Sequence, residues 1–312
     1  MKKAAIERYL ACPSCYSTVR EEGGMIICSG CGKCFHCEDD IALMTDVHDE
    51  DLFSRGKWES NYESWSNLEE EYIRDFHSDL HRQVMEAVVD KGMKVFLELG
   101  CGLGFFGEAL TREGWVFIGV DISITALRKL KQRLVSRGIT DYLLVLGDIN
   151  HLPIAGECVD LVSGFGVVEH LRQPENALFH VHRVLRLKGV SFNTVPYLNL
   201  GNILYRSVMW GSIPNVPVLR QVLTFVNVVL LKGKHMVFGF ELQLSESQLR
   251  RMHTAAGFQP EDVRIEQYKC KIQLHHVWPE WLRGFARRLS ANNRMFWPMV
   301  KVIAYRRNKE TK

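Results

Sequence analysis

The feature that most constrains the fold of this chain is an apolar run that ends in a carboxylate and then opens into three alternating glycines. Residues 95–104 read Val-Phe-Leu-Glu-Leu-Gly-Cys-Gly-Leu-Gly, and a helix is predicted from Phe105 onward. A strand, a glycine loop and a helix in this order allow the backbone to approach a nucleotide-like ligand closely. The next apolar run, 115–120, leads to Asp121, where a carboxylate can accept both hydroxyls of a ribose.

Strand-like and helical runs then alternate along the chain. The predicted strands are 94–99, 115–120, 141–147, 159–163 and 189–195, and the predicted helices between them are 105–113, 123–137 and 174–187. This alternation predicts an α/β fold with a Rossmann-like, mostly parallel sheet and flanking helices. Two later strand-like runs, 262–268 and 299–305, would pair at the sheet edge and make the sheet seven-stranded.

Two further motifs follow the third and fourth predicted strands. Residues 147–153 read Gly-Asp-Ile-Asn-His-Leu-Pro, and residues 164–171 read Gly-Phe-Gly-Val-Val-Glu-His-Leu. With the glycine loop, Glu98 and Asp121, this ordered set resembles the class I S-adenosylmethionine (SAM) methyltransferases, especially the type 11 group and the ubiquinone-biosynthesis O-methyltransferases. The resemblance covers residues 75–200 and implies SAM as the cofactor.

The resemblance and the chemistry of SAM imply a role for each residue at the strand ends. Gly100, Gly102 and Gly104 would let the backbone pass near the methionine and ribose, and Glu98 would face the ammonium group. The adenosine contacts would come from Asp121 on the ribose hydroxyls, Ile122 and Ile149 on the two faces of the adenine, and Asp148 on its exocyclic amine. A carboxylate in such a place is also a common helix cap or turn residue. The joint occurrence of these residues at successive strand ends favours the cofactor site.

The dipeptide Glu169-His170 follows the fourth predicted strand and supplies the candidate catalytic residues. His170 could act as a general base that takes a proton from the acceptor, and Glu169 could help to hold a divalent ion, as is suggested for some quinone-biosynthesis relatives. The alternative, which the sequence favours, is that the dipeptide only organises its loop, because it occurs in relatives with different acceptors.

Four cysteines near the N-terminus form two CxxC pairs, Cys12 with Cys15 and Cys28 with Cys31, and 12 residues separate the pairs. Four thiolates at this spacing are typical of a closed tetrahedral zinc site, which is structural because it leaves no open coordination position. A redox role is less favoured, because no thioredoxin-like βαβ unit surrounds the pairs. The sequence therefore predicts one structural Zn²⁺ ion.

The predicted zinc ribbon spans residues 1–47. Its second half, 31–44, resembles a short zinc-ribbon family that includes the small activator of tRNA and translation-factor methyltransferases. The chain departs from that family at Phe35-His36, which replaces an aromatic-proline pair. In this alignment Cys34 and Cys37 are not ligands, although a further thiolate could compete for the metal.

A helical connector, residues 48–92, is predicted between the ribbon and the methyltransferase domain, 93–312. In the connector, Trp58, Tyr62 and Trp65 recur at the spacing of one helix face. Such a face is expected to pack on the domain. The alternative is that it closes over the cofactor or acceptor, as N-terminal helices do in similar methyltransferases.

An apolar insert, residues 196–244, is predicted on the acceptor side of the domain and resembles the place where similar enzymes carry substrate-binding elements. An apolar lid suggests a hydrophobic acceptor or contact with a membrane surface, although such an insert can also bury itself as a helical cap. His235 within it is a second candidate base, but a single histidine in an insert is more often structural.

The net charge of +3 is unevenly distributed. Residues 232–312 carry 16 Lys+Arg and 7 Asp+Glu, whereas the remainder carries 23 and 29. A basic segment with interleaved aromatic residues is compatible with a solvated edge, with RNA or with an interfacial anchor. The start of the chain lacks the apolar region of a signal peptide, and the apolar stretch 222–231 is too short to span a bilayer, so a cytoplasmic location is predicted.

We therefore expect a SAM-dependent methyltransferase that acts by SN2 displacement on a small-molecule acceptor, hydrophobic or lipid-linked, with peripheral membrane contact as an open possibility. The alternative is an RNA or translation-factor methyltransferase that binds its substrate through the zinc ribbon and the basic C-terminal segment. Residues 164–167 argue against it, because they lack the Asn/Asp-Pro-Pro-aromatic motif of amine methylation. The sequence leaves the acceptor identity and the oligomeric state open.

Overall fold

The computed structural model describes most of the chain. The described residues are 3–45, 52–64, 80–88, 92, 94–207, 211–234, 236, 239–268, 281, 284, 288 and 293–307. Trp65 and His235, and most of the basic and aromatic segment 269–292, lie outside the described residues.

The N-terminal segment forms a small antiparallel unit. Helix α1 (Lys3–Tyr9) precedes strands β1 (Val19–Glu22), β2 (Met25–Cys28), β3 (Cys34–Glu38) and β4 (Ile41–Leu43). The β1–β2 hairpin turns at Gly23 and Gly24, both of which have positive φ, so the hairpin expected between the two CxxC pairs is present. Glycine suits both positions of this turn, because it adopts left-handed backbone angles at little cost.

Five parallel strands form the centre of the sheet. They are β5 (Val95–Leu99), β6 (Val116–Asp121), β7 (Tyr142–Leu146), β8 (Val159–Phe165) and β9 (Leu185–Pro196). Helices α2 (Leu52–Ser64) and α3 (80–87) precede β5, and the helices between the strands are α4 (Phe105–Arg112), α5 (Ile124–Ser136) and α6 (Pro174–Val184). Helix α6 ends three residues earlier than predicted, because Leu185 pairs with Val159 and begins β9.

The insert on the acceptor side is built from short elements. They are α7 (Leu200–Leu204), β10 (Ile213–Pro214), α8 (Pro217–Thr224), a π-helical turn (Phe225–Leu230) and β11 (Leu242–Gln243). Helix α9 (Glu246–Ala255) follows, and a capping box between Ser245 and Gln248 fixes its start. Strands β10 and β11 pair with each other and not with the main sheet.

The chain ends at the sheet edge with β12 (Val263–Gln267) and β13 (Met299–Tyr305), which are antiparallel to each other, while β13 is antiparallel to β9. The order β7-β6-β5-β8-β9-β13-β12 contains the seven predicted strands. On the other side, β4 pairs in parallel with β7, so the strands of the N-terminal unit continue the same sheet. The α/β fold class and the mostly parallel sheet are confirmed.

The sheet core is apolar on both faces, as expected for parallel strands covered by helices. Phe96 and Phe117 lie stacked 5.9 Å apart below the glycine loop, and Phe106 meets Phe96 edge to face. These rings hold β5, β6 and α4 together and thereby fix the loop between them. Within the part of the chain described, no helix has the length and apolar character needed to cross a bilayer.

Candidate active site

The glycine loop after β5 adopts a backbone that only glycine accommodates readily. Gly100, Gly102 and Gly104 have φ values of +56°, +49° and +59°. A side chain on Gly102 would also bring its Cβ to 2.5 Å from the Tyr62 hydroxyl, and one on Gly100 would reach 2.7 Å from Val167. Positive φ and close packing together explain the three glycines at these positions. The loop is a cradle of backbone groups at the carboxyl end of β5.

Asp121 ends β6 beside this loop. One carboxylate oxygen accepts the backbone N–H of Gly102 at 2.7 Å, and the other accepts the N–H of Ser123 at 2.8 Å. Burial raises the pKa of Asp121 to about 6, although the backbone N–H donors act against this rise. The carboxylate therefore ties the two strand ends together and keeps lone pairs that can accept the hydroxyls of a ribose.

Glu98 is the residue whose environment fits a cationic ligand most directly. It is buried beneath the glycine loop, and its Oε2 has no hydrogen-bond partner within the described part of the chain. Burial raises its pKa to about 8. A buried carboxyl with an unused oxygen is costly unless a ligand supplies a donor. The ammonium group of the SAM methionine moiety is such a donor, so the residues present fit this cofactor.

The loop after β7 holds the two residues predicted near the adenine. Asp148 is buried, and its Oδ1 accepts the N–H of Asn150 at 2.8 Å while its Oδ2 lies 3.1 Å from Nδ1 of His151. Ile149 is buried and Ile122 is half-buried at the end of β6. Both predicted positions thus lie at adjacent strand ends, although Asp148 also caps its own turn, as the structural alternative proposed.

Helix α2 of the predicted connector covers the glycine loop. Tyr62 is buried against Gly102, and Glu59 accepts the N–H of Ile124 at 2.9 Å. The Trp58 ring meets the His170 imidazole edge-on, with 5.5 Å between centroids. The aromatic face therefore packs on the domain and, in doing so, forms a roof over both the cofactor loop and the candidate catalytic histidine.

His170 is held by the insert. Its Nδ1 lies 2.6 Å from the carbonyl oxygen of Phe240. Because a carbonyl can only accept, Nδ1 carries the hydrogen, and Nε2 has the free lone pair. Burial lowers the pKa of His170, so the ring is neutral near pH 7. A neutral imidazole with a fixed tautomer is suited to accept a proton.

Glu169 points into the same cluster. It is fully buried, its Oε2 has no hydrogen-bond partner among the described residues, and burial raises its pKa well above the usual value. A neutral carboxyl there can donate a hydrogen bond to an acceptor molecule, whereas an ionised one would need a cation. Ligand atoms of Glu169, His170 and Glu241 lie within 4.8 Å of one another, which keeps the divalent-ion hypothesis open.

The sequence did not identify Glu241 and Arg206 as part of this site. The two residues form a buried ion pair, with Nη2 of Arg206 2.7 Å from Oε2 of Glu241. Burial acts to raise the pKa of Glu241, but the Arg206 guanidinium acts to lower it. The pKa of Glu241 therefore lies below its usual value. One sequence signal was available: Glu241 is the first acidic residue after Glu175, so it stands alone in an otherwise acid-free stretch.

The two CxxC pairs come together as predicted. Sγ of Cys12 lies 3.7 Å from Sγ of Cys31, and Sγ of Cys15 lies 3.4 Å from Sγ of Cys28. A tetrahedral Zn–S bond of about 2.3 Å places sulfurs about 3.8 Å apart. The four sulfurs lie within 4.8 Å of one another, and Cys34, which is exposed, is not part of this cluster. Their spacing suits one structural zinc ion.

The first CxxC turn lies against the adenine-side loop of the domain. The Tyr16 hydroxyl lies 3.2 Å from Nε2 of His180, and the Arg183 guanidinium lies 4.7 Å from the centre of the Tyr16 ring. The backbone N–H of Ala11 donates to the carbonyl of Pro153 at 3.1 Å. A cavity of about 310 Å³ between the two parts is lined by Pro13, Ser14, Tyr16, Lys33, Met44, Thr45, Asp148 and His151.

The strand order, the glycine cradle and the buried carboxyl groups at successive strand ends have the arrangement expected of a Rossmann-like domain that binds SAM. In agreement, residues 97–192 match the family described as a methyltransferase domain. The chain is 29% identical over 133 residues to a malonyl-[acyl-carrier protein] O-methyltransferase from Hamiltonella defensa, covering 42% of this chain and 48% of that protein. It is 30% identical over 105 residues to a ubiquinone biosynthesis O-methyltransferase from Haemophilus ducreyi, covering 32% and 44%. The chain thus spans less than half the length of these relatives.

A solved structure shares the fold over a larger part of the chain. It comes from a complex between the Haloferax volcanii Trm112 methyltransferase activator and a methyltransferase, with a TM-score of 0.55 at 14% identity. The match covers 83% of this chain and 100% of that one. The family match and the relatives confirm the predicted methyltransferase class, whereas the roles of individual site residues and the domain boundaries stay predictions.

Proposed function

We propose that this protein transfers the methyl group of SAM to a hydroxyl of a small, hydrophobic or lipid-linked acceptor. The observation that carries the proposal is the pair of buried carboxyl groups, Glu98 and Asp121, beside a glycine cradle. The unpartnered Oε2 of Glu98 matches the ammonium of SAM, and the remaining lone pairs of Asp121 match the ribose hydroxyls. When bound, SAM supplies a methyl group activated by a sulfonium.

The chain's own contribution to the reaction is to orient the acceptor and to take its proton. His170 presents Nε2, because Nδ1 donates to Phe240. A hydroxyl that loses its proton to Nε2 becomes a better nucleophile, and the proton then leaves to solvent. Trp58 and the insert cover the same space and limit access of water.

The nature of the acceptor is supported by two observations. The relatives named above are O-methyltransferases whose names refer to malonyl-[acyl-carrier protein] and to ubiquinone biosynthesis. The insert that closes on His170 is apolar, and its residues 196–240 include no acidic residue. The RNA or translation-factor alternative is not favoured by these observations. Structural zinc in the four-cysteine cluster is part of the same proposal.

Calorimetry with S-adenosylhomocysteine, which retains the ammonium and ribose, tests the cofactor site. We expect binding by the wild type, and the Kd should rise roughly 10- to 150-fold in Asp121→Ala, the equivalent of about 1.5–3 kcal/mol for a charged hydrogen bond. Glu63→Ala is the matched control, because Glu63 is an exposed carboxylate on α2, and this variant should bind normally. Absence of binding by the wild type would overturn the proposal.

Transfer of a tritiated methyl group from SAM distinguishes the acceptor classes. Lipid, RNA and protein fractions of the host cell are offered separately to the enzyme. Label in the organic-extractable lipid fraction would support the proposed acceptor. Label only in RNA or protein would replace it with the alternative.

A further inference from the structure

The insert carries a helix whose apolar side faces outward. Along α8 and the π-helical turn, Val218, Val222, Phe225 and Val229 recur at helical spacing, and each exposes more than half of its surface, with 74% for Val218. Leu230, at 61%, extends this stripe. We call these five residues the outer stripe. A stripe at such spacing normally faces the core, because burying it removes apolar area from water.

The opposite side of the same helix is held to the protein by both apolar and polar side chains, because Leu223 and Val228 pack against the hydrophobic core. The Arg220 guanidinium donates to the carbonyl of Arg172 at 2.9 Å and to the Asn215 side chain at 3.1 Å. Asn227 is buried and contacts the Gly211 carbonyl at 3.5 Å. The helix therefore carries apolar side chains on both sides, whereas the outer side of a helix on the surface of a globular protein is normally polar. This arrangement stabilises the helix when its outer side lies in an apolar medium.

The charge around the stripe selects the kind of apolar medium. Residues 196–240 contain four basic residues, Arg206, Arg220, Lys232 and Lys234, and lack acidic ones. Lys232 and Lys234 are exposed and follow directly on Leu230 and Leu231. Exposed lysines at the end of an apolar stripe are typical of helices that lie in the interface of an anionic bilayer, because the alkyl stems run along the acyl region while the charges meet phosphates.

The helix also contacts two residues close to the candidate catalytic histidine, Arg172 and Phe240. Arg172, whose carbonyl holds Arg220, lies two residues after His170, and the Arg220 guanidinium lies 5.9 Å from the centre of the Phe240 ring. Phe240 in turn accepts the hydrogen bond from His170. Arg220 and Phe240 therefore link the helix that carries the outer stripe to His170 on the acceptor side of the site.

We propose that the outer stripe, with Lys232 and Lys234, docks this protein on the surface of an anionic lipid bilayer, from which the acceptor enters the site. The proposal rests on the proposed function for the nature of the acceptor, but the docking itself does not depend on methyl transfer. The helix lies in the membrane interface and does not cross the bilayer.

Sedimentation with lipid vesicles tests the docking. The full chain is mixed with vesicles of phosphatidylcholine alone or with about a third of phosphatidylglycerol. We expect binding to the anionic vesicles, and an affinity about a hundredfold lower for Phe225→Asp combined with Leu230→Asp, because two large apolar side chains no longer enter the interface. Lys232→Glu combined with Lys234→Glu should abolish the preference for phosphatidylglycerol.

Val135→Asp is the matched control, because Val135 is an equally exposed apolar residue, at 58%, on α5 outside the insert. It should bind vesicles as the wild type does. Absence of vesicle binding by the wild type, or equal binding by the stripe variant, would overturn the proposal. A wild type that is dimeric and becomes monomeric on Phe225→Asp without vesicle binding would show that the stripe is a contact between copies. The affinity of the same variants for S-adenosylhomocysteine, measured by calorimetry, should equal that of the wild type. This measurement separates failure of docking from failure of the cofactor site.

Discussion

The Nδ1 atom of His170 lies 2.6 Å from the main-chain oxygen of Phe240, a residue 70 positions later in the chain. This bond joins the loop after β8 to the insert and fixes which imidazole nitrogen can accept a proton. The insert therefore has two effects on the site. It covers the acceptor space, and it sets the tautomer of the candidate base.

Replacement of His170 by glutamine should lower kcat by about 10²- to 10⁴-fold, the usual contribution of a general base. S-adenosylhomocysteine affinity should not change, because His170 is assigned to the acceptor. His36→Gln, an exposed histidine in β3, is the control. Steady-state kinetics of both variants are measured with an acceptor identified by the methyl-transfer assay. A kcat within a few-fold of wild type in His170→Gln would show that the residue only organises the loop.

The pH dependence gives a second signature of the same residue. Burial lowers the pKa of His170 below its usual 6.5, and the neutral form is the active one. At saturating SAM, kcat should therefore be flat above this pKa and fall as pH drops through it, with the acid limb below pH 6.5. The limb should disappear in the residual activity of His170→Gln. A limb that persists in the variant would assign the titration to another group.

Glu98 should couple SAM binding to proton release. Its folded-state pKa is raised from 4.5 to about 8 by burial, so the carboxyl is mostly protonated at pH 7 in the free protein. A bound ammonium favours the ionised form. SAM affinity should therefore rise between pH 6 and 8, and calorimetry in buffers of different ionisation enthalpy should detect the released proton. Glu98→Gln should bind more weakly and release none.

The same raised pKa predicts how the stability of the free protein depends on pH. A group that binds its proton more tightly when folded stabilises the fold at low pH, and this contribution is lost as pH rises through the folded-state value. For Glu98 the loss occurs between 4.5 and about 8, and Asp121, raised from 3.8 to about 6, acts in the same direction at lower pH. Urea unfolding at pH 5.5 and 8 should show a smaller decrease for Glu98→Gln than for wild type.

Much of the central fold could be predicted from sequence because its signals are local. The strand, glycine loop and helix around Gly102 follow from apolar runs and from positive φ, and Asp121 follows from its distance along the chain. The pairing of β4 with β7 could not be predicted, because it depends on how an edge strand of the N-terminal unit meets a sheet formed 100 residues later. No local pattern encodes such a contact.

The acceptor side shows the same limit. Glu169 and His170 were recognised from a short motif, whereas Arg206 and Glu241 reach the site from an insert whose path depends on tertiary packing. A buried ion pair is stabilised by its surroundings, and sequence alone does not show that its members meet. The sequence likewise left open whether α2 packs on the domain or closes over the cofactor, because the contacts of Trp58 and Tyr62 depend on tertiary packing.

The cysteine cluster predicts a distinct response to two similar substitutions. Cys28→Ser removes one of four sulfurs that lie within 4.8 Å of one another, so zinc should fall from about one ion per chain to well below one. Cys34→Ser, six residues later on β3, is the control and should retain the metal, because Cys34 lies outside the cluster. Elemental analysis of the purified protein measures both, and zinc loss in Cys34→Ser would reassign the ligands.

The contact between Gly102 and Tyr62 can be separated from backbone strain by a double-mutant cycle. Alanine at 102 must adopt φ near +49° and place its Cβ 2.5 Å from the Tyr62 hydroxyl, so Gly102→Ala carries both a left-handed strain of about 1–2 kcal/mol and a clash. In a Tyr62→Ala background only the strain remains, and the loss in free energy of unfolding should be smaller.

Gly114→Ala provides the reference for strain alone, because Gly114 has φ +82° and no heavy atom within 4 Å of the added Cβ. Urea denaturation of Gly102→Ala, Tyr62→Ala and the double variant, measured with and without S-adenosylhomocysteine, gives the coupling energy between the two positions. A Gly102→Ala penalty equal to that of Gly114→Ala would mean that α2 does not press on the loop. A penalty that exceeds it, and that Tyr62→Ala relieves, shows that the roof helix and the cofactor loop act as one unit, so that ordering of α2 and binding of the cofactor stabilise each other.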